Sequence, residues 1–205
     1  MRRRLTRGLI VLLVTAAAAC SSGPPAPDDS DYVGKITAAR AEKDKLLRED
    51  PDSPIPADKR DVLLPLKYFP VDPSFSAPAS LRLSNDRPVI EMPTSTGTLR
   101  KYQYVGTLEF LLQGKPYTLG AFVEDGQPID ALFVPFADQT TGKETYAAGR
   151  YMDLHPTASQ VYTVDFNTAY NPSCAYNSSY ECPYPPPSNR LSLAVRAGEL
   201  SPPPH

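Results

Sequence analysis

The chain has 205 residues, with 21 basic and 23 acidic side chains, 24 prolines, 12 tyrosines and no tryptophan. That length supports one domain with a real core. The charges form no basic stripe, which excludes a nucleic-acid binder, and no apolar run reaches the roughly 20 residues that a membrane-spanning helix needs.

The first element is a leader. Arg2, Arg3, Arg4 and Arg7 precede the apolar run 9–14 and the small residues 15–19, and Cys20 follows at once. Charged, apolar and small-residue regions in that order form a secretory signal. A cysteine directly after them resembles the lipobox, in which the thiol takes a diacylglyceryl group before cleavage. Ala17 stands where that pattern usually has Leu. The expected form is a lipoprotein, with a signal peptide over 1–19, lipid attachment at Cys20 and a flexible tether over 20–30. Its expected place is the extracytoplasmic face of a membrane in the cell envelope, with the lipid membrane as a partner through the anchor. Cleavage removes four arginines and no acid, leaving 186 residues with 17 basic against 23 acidic ones, a net charge of −6.

The stretch from Asp28 to Asp50 is free of proline, so a long helix fits there. The spacing predicts a helix over 31–50, capped by Ser30 or Asp31, with Ile36, Ala39, Lys43, Leu46 and Leu47 along one face. Arg40–Asp44, Asp44–Arg48 and Lys45–Glu49 are opposite charges at i,i+4 and suit a solvated face. After Arg60 the period changes to two. Strands are expected around Leu81, Leu83, Val89 and Ile90, then over 99–112, continuous or bent at Gly106. Gly114-Lys115 fits a hairpin turn into 116–123. Further strands are expected over 132–136, 144–146, 150–154 and 161–166. In 191–196, Leu191, Leu193 and Val195 alternate with Ser192, Ala194 and Arg196, the mark of a half-buried strand. Many short strands joined by turns predict a mainly β domain over 60–199, an antiparallel β-sandwich or open barrel with an N-terminal helix. Residues 200–205 are expected to fray.

The segment DFNTAYNPSCAYNSSYECPYPPPSN (165–189) stands apart. A loop this long in a compact domain is functional or disordered, and its aromatics and cysteines argue for order. Cys174 and Cys182 remain after the anchor. Export places them in an oxidising compartment, so a disulfide between them is the expectation. The short loop limits its stabilisation to about 2–3 kcal/mol.

Three ordered motifs, GKETYAAGRYMDL (142–154), VDFNTAYNPSCAYNSSYECPYPPPSNRL (164–191) and VRAGE (195–199), resemble the bacterial domain-of-unknown-function family 1684 in its compact form. LPLKYFPVDPSF (64–75), YVGTLEFLLQGKPYTL (104–119) and ALFVPFADQT (131–140) extend the resemblance. Members typically carry Tyr-Gly-Gly or Tyr-Gly-Ala before Gly-Arg-Tyr, whereas Ala147 and Ala148 stand here. The resemblance implies a mainly β domain with a helical lead, and it brings no activity with it.

Arg150, Asp153, Asp165, Asn167, Asn171 and Tyr176 are the candidate ligand site. An arginine among carboxylates and amides can hold a polar or anionic ligand by bidentate hydrogen bonds. The same residues can serve structure instead, with Arg150 and Asp165 paired across adjacent strands and the asparagines in Asx-turns. Tyr102, Tyr104, Tyr117, Tyr151, Tyr162 and Tyr170 suit strands by β preference, or could stack on carbohydrate. Neither a Gly-x-Ser-x-Gly elbow nor His-Glu-x-x-His occurs, and His155 beside Pro156 reads as a turn residue. Cys174, Cys182 and His155 lack structural zinc spacing. No metal and no cofactor are expected, and no catalytic residue is assigned. The expected function is a non-enzymatic, membrane-anchored module for a small polar ligand or an envelope polymer. Its rival is an extracytoplasmic hydrolase using the polar cluster around Arg150 and Asp165. Convergence of those side chains on an open cleft, or their mutual satisfaction, separates the two.

Overall fold

The computed structural model describes residues 29–155 and 161–203. The expected signal peptide, the Cys20 anchor and the tether up to residue 28 lie outside them. Helix α1 spans Ser30–Glu49, within the proline-free stretch. It stops where Asp50 turns extended, the conformation a residue before proline prefers. A short helix α2 follows at Arg60–Leu63. The strands are β1 (Ser76–Leu83), β2 (Val89–Pro93), β3 (Leu99–Leu112), β4 (Lys115–Glu124), β5 (Leu132–Phe136), β6 (Arg150–Leu154) and β7 (Val161–Asp165). They form one antiparallel sheet in the order β6-β5-β4-β3-β1-β7. Strands β1 and β2 lie end to end along the same side of β3. The sheet curls into a half barrel, so the fold is mainly antiparallel β with an N-terminal helix and takes the open-barrel branch of the expectation.

The β3–β4 hairpin is the spine. Its turn is Gln113-Gly114, one residue earlier than expected, with positive φ at both (51° and 75°). That is the twist-compatible two-residue connection between antiparallel strands. Strand β3 runs unbroken, but its register with β4 shifts between Tyr104 and Gly106. An added Cβ at Gly106 would sit 2.4 Å from the Arg82 carbonyl oxygen, so the position admits only glycine. The bulge reverses which side chains face inward. Beyond it Leu108, Phe110 and Leu112 enter the main core, while Tyr102 and Tyr104 before it turn to the outer face.

The inner face carries the main core. Leu119, Ala121 and Val123 of β4 meet Leu132, Val134 and Phe136 of β5 and Met152 and Leu154 of β6. Strands β4 and β5 splay beyond their one registered pair, Phe122–Phe133. The fully buried side chain of Asn189 fills the gap. Its Oδ1 accepts the Gly120 N–H at 2.7 Å, and its Nδ2 donates to the carbonyls of Gly120 (2.9 Å) and Pro135 (2.8 Å). A side-chain amide thus stands in for a strand's backbone groups.

Four local expectations are corrected. Residues 191–196 are not a strand. They follow the end of β5 through bonds such as Leu191 N–H to Ala137 O at 2.8 Å and Gln139 N–H to Leu193 O at 3.0 Å. The alternation was a true burial signal, since Leu191 and Val195 are buried, but the carbonyl of Val195 serves Arg150 rather than a neighbouring strand. Residues 144–146 form turns, because the Thr140 carbonyl gathers the N–H groups of Lys143, Glu144 and Thr145. Leu200 and Ser201 do not fray, for their N–H groups donate to Lys67 O and Glu144 O at 2.9 and 3.0 Å. Arg40 and Asp44 of α1 do not pair along the helix but turn to the domain. Arg40 donates to the carbonyls of Phe69 (2.9 Å) and Asn167 (3.1 Å) and lies 4.4 Å over the Tyr68 ring, and Asp44 accepts the Leu66 N–H at 2.9 Å. No residue of α1 is fully buried, and the helix docks through polar groups at its inner face and through Leu47, which packs against the cluster of Ile55, Leu63 and Leu64.

Candidate functional site

The six predicted site residues fall in four places. Arg150 begins β6 on the inner face, 1% exposed, above the Phe136 ring at 5.2 Å. Its Nη2 donates to Asp138 Oδ2 and to Val195 O, both at 2.9 Å, and its Nη1 donates to Ala197 O. Burial lowers the guanidinium's proton affinity, and the Asp138 charge opposes that shift. The anticipated Arg150–Asp165 pair is absent because β6 and β7 close opposite ends of the strand order. Asp165 instead accepts from Tyr32 OH at 2.8 Å and from the Asn167 N–H at 3.0 Å. Asn167 completes that cluster by bonding both backbone groups of Asp72, at 2.9 and 2.8 Å. Asn171 and Tyr176 belong to a third cluster. The Asn171 N–H and the Tyr176 OH both reach Glu199 Oε2 at 2.7 Å, and Lys43 Nζ reaches Glu199 Oε1 at 2.5 Å. Asp153 stands on the outer face and accepts from Tyr170 OH at 2.6 Å. Five of these six side chains are spent on holding the chain together, and no opening brings them all together: Asn171 and Tyr176 share a small cavity of about 30 Å³, and Asn167 lines a separate one.

Sequence reasoning missed Asp138 and Glu199, the partners of Arg150 and of Asn171 and Tyr176, and it missed Asn189, which bridges β4 and β5. Asp138 and Glu199 lie in two of the quoted motifs, ALFVPFADQT and VRAGE, and Asn189 lies in a third. An ionisable or amide residue inside an otherwise apolar or glycine-containing motif was the available signal.

The concave feature with converging polar groups lies on the sheet's outer face. The bulge in β3 brings Tyr102 there, and period-two alternation in β5 and β6 adds Phe133 and Tyr151. Tyr102 and Phe133 stack at 5.4 Å between ring centres, Phe133 meets Tyr151 edge-on at 4.8 Å, and Tyr151 meets Tyr170 edge-on at 5.9 Å. The segment 170–184 forms the walls. Tyr170 exchanges backbone hydrogen bonds with Tyr151 and so covers the free edge of β6. The Tyr151 hydroxyl donates to Pro183 O at 2.5 Å, and the N–H of Tyr184 donates to Pro93 O at 2.8 Å. The resulting cleft holds about 300 Å³ and is bordered by Arg100, Ser173, Tyr180, Glu181 and Cys182. Arg100 lies 5.8 Å over the Tyr102 ring and bonds Glu124. Burial raises the proton affinity of the Tyr102, Tyr151 and Tyr170 phenols, so they act as neutral rings and donors. A larger groove of about 660 Å³ beside Phe110, Leu111, Tyr117 and Val161 is apolar, with Glu109 at its border. Apolar walls with a few aimed polar groups are the usual make-up of a ligand site, and the outer-face cleft has both.

Cys182 borders this cleft, and Cys174 lies against it. The Cys174 N–H donates to Cys182 Sγ at 3.1 Å, and no bond joins the two sulfurs in this structure. Among the described residues, no cluster of three or more metal-ligating side chains occurs.

Residues 64–200 match the model of the family described as "Protein of unknown function (DUF1684)". No curated protein matches the chain. Among solved structures, the solution NMR structure of an uncharacterized protein of Haloarcula marismortui is similar, at 40% identity and a TM-score of 0.66, over 84% of this chain and 96% of that one. With a family match over most of its length, the chain belongs to the DUF1684 family.

Proposed function

We propose that this protein is a membrane-anchored binding module whose outer-face cleft takes a sugar ring of an envelope polymer. The observation that carries the reading is the aromatic floor of Tyr102, Phe133, Tyr151 and Tyr170, with Arg100 and Glu181 at the border. Aromatic faces stack on flat apolar ring surfaces, while a guanidinium and a carboxylate offer a donor and an acceptor to hydroxyls. A volume of about 300 Å³ suits a small ligand or one unit of a chain. The leader and Cys20 support tethering at the extracytoplasmic face. The rival hydrolase at Arg150 and Asp165 finds no shared cleft for its two residues.

Titration of the purified protein with N-acetylated aminosugars and neutral hexose oligomers, followed by NMR of the tyrosine rings, tests the cleft. Shifts should concentrate on Tyr102, Tyr151 and Tyr170, and Tyr170→Ala should weaken them about tenfold or more, the scale of one lost stacking contact. Saccharides that move no ring signal in the folded wild type would overturn the reading. For the anchor, Cys20→Ala should abolish labelling by radioactive palmitate. Continued labelling with retention in the membrane fraction would refute it.

A further inference from the structure

We infer that Cys174 and Cys182 are a reversible dithiol–disulfide pair that sets the width of the aromatic cleft, an inference that rests on the cleft being the binding site. The two cysteines sit on opposite arms of the wall. The arm of Cys174 is tied to the C-terminal segment, through Asn171 and Tyr176 on Glu199. The arm of Cys182 is tied to the end of β2. There the Cys182 N–H donates to Ser95 Oγ at 3.1 Å, and the Ser95 N–H returns a bond to Cys182 O at 2.9 Å. Ser173 of the first arm and Glu181 of the second both border the cleft. A covalent link between the cysteines therefore joins two walls that are otherwise held to different parts of the fold. Residues 177–180 between them are turn and loop, which lets the arms adjust independently while the thiols are reduced.

The pair is asymmetric. Cys174 borders a second surface cleft of about 450 Å³ with Tyr146 and Ser178, which opens a path for an oxidant. Cys182 faces the aromatic cleft. A hydrogen bond from Cys182 pulls the Cys174 thiol down to about 7, against the effect of burial, and Tyr146 OH adds a weaker donor at 3.9 Å. The bond to Cys174 raises the Cys182 thiol, so it keeps its proton longer. Thiolate character decides which sulfur attacks first. The Cys174 thiolate attacks a small-molecule or protein disulfide, forming a mixed disulfide and expelling one thiolate. Cys182 then loses its proton and attacks the Cys174 sulfur, which expels the second thiolate. The two cysteines are oxidised by two electrons, and the disulfide oxidant is reduced to two thiols.

The test uses the full chain and oxidised glutathione. In the reduced protein, iodoacetamide should label Cys174 about tenfold faster than Cys182, with half-maximal rate near pH 7. Glutathione disulfide should produce a cross-linked 174–182 peptide, and Cys182→Ser should instead trap the glutathione adduct on Cys174. Hydrogen exchange over 172–183 should slow on oxidation and recover with dithiothreitol. Adducts on both cysteines without a cross-link, or a cross-link that leaves exchange in 172–183 unchanged, would overturn the inference. Saccharide titration of both redox forms separates the two ideas. If neither form binds, the cleft reading alone falls, while the cross-link and exchange data judge the thiol pair.

Discussion

Arg150 and Lys43 both end against buried acceptors near residue 199, yet they hold different things in different ways. Arg150 and Asp138 have side chains only 1% and 0% exposed, and the guanidinium clamps the carbonyls of Val195 and Ala197 to the start of β6. The Asp138 carboxylate is itself bonded by Thr140 N–H at 2.7 Å and Thr140 OH at 2.6 Å. Lys43 reaches Glu199 from a helix with no buried residue, and its side chain is 36% exposed against 1% for its partner. One ion pair is part of the core, and the other fastens a helix from outside. Coulomb attraction and unpaired-charge cost both grow as water is removed, so the first interaction is strong and salt-insensitive while the second is screened. The half barrel should therefore keep its integrity when α1 lets go.

Alkali should break the helix side first and most completely. Tyr32, Tyr68, Tyr170 and Tyr176 lie along the seam or beside it, and burial raises all four phenols. A raised folded pKa means that the neutral form is favoured by folding. Its stabilisation is complete below the unfolded value of 10.0 and drains away as pH climbs beyond it. Exchange protection of α1 should fall above pH 10 before that of β3 and β4, with tyrosinate absorbance rising in step. Equal loss in both regions would erase the distinction.

Arg150→Met should cost about 3–5 kcal/mol in urea unfolding, because Asp138 is left buried without its cation. Added salt should rescue little of that loss. Asn189→Ala should cost about 1–3 kcal/mol, since the Gly120 and Pro135 backbone groups lose their partner in a site that excludes water. Lys43→Met should cost less, about 1–2 kcal/mol, because Glu199 loses its cation but keeps the Asn171 N–H and the Tyr176 OH, and added salt in the wild type should mimic part of it through the exposed lysine. Its signature is faster exchange or proteolysis confined to α1. The smallest effect, about 0.5–1.5 kcal/mol, is expected for Tyr32→Phe, which removes one hydroxyl from Asp165 and Asn167. A global loss of exchange protection in either seam variant would show that helix and sheet unfold as one unit.

Local chemistry made much of the fold legible. Proline positions bounded α1, short strand-forming runs between turn residues located β5, β6 and β7, and Gly106 marked the point where β3, continuous in the structure, shifts its register. Residues 191–196 show the limit. Their alternation reports burial, but whether a backbone pairs into a sheet depends on what lies beside it, and here Arg150 takes a carbonyl that a strand would have used. The candidate ligand residues failed as a group for a related reason. Polar side chains near one another in sequence were read as one site, while alternation within β6 put Arg150 on the inner face and Asp153 on the outer face, and the strand order sent Asp165 to the far edge strand.

What the sequence alone determined is the family, the mainly β architecture, the helical lead and the segment 165–189 as the singular region. These follow from short-range rules of backbone sterics, periodicity and motif order, each of which acts within a few residues. The tertiary structure alone decided that the tyrosines of β3 and β6 share a floor, and that the cysteine pair expected from the sequence lies beside it. It also decided that Arg150 is consumed by the core. Each of these depends on a bulge that switches a strand's inward face and on which strands become neighbours. Both are consequences of long-range pairing, which no window along the chain contains.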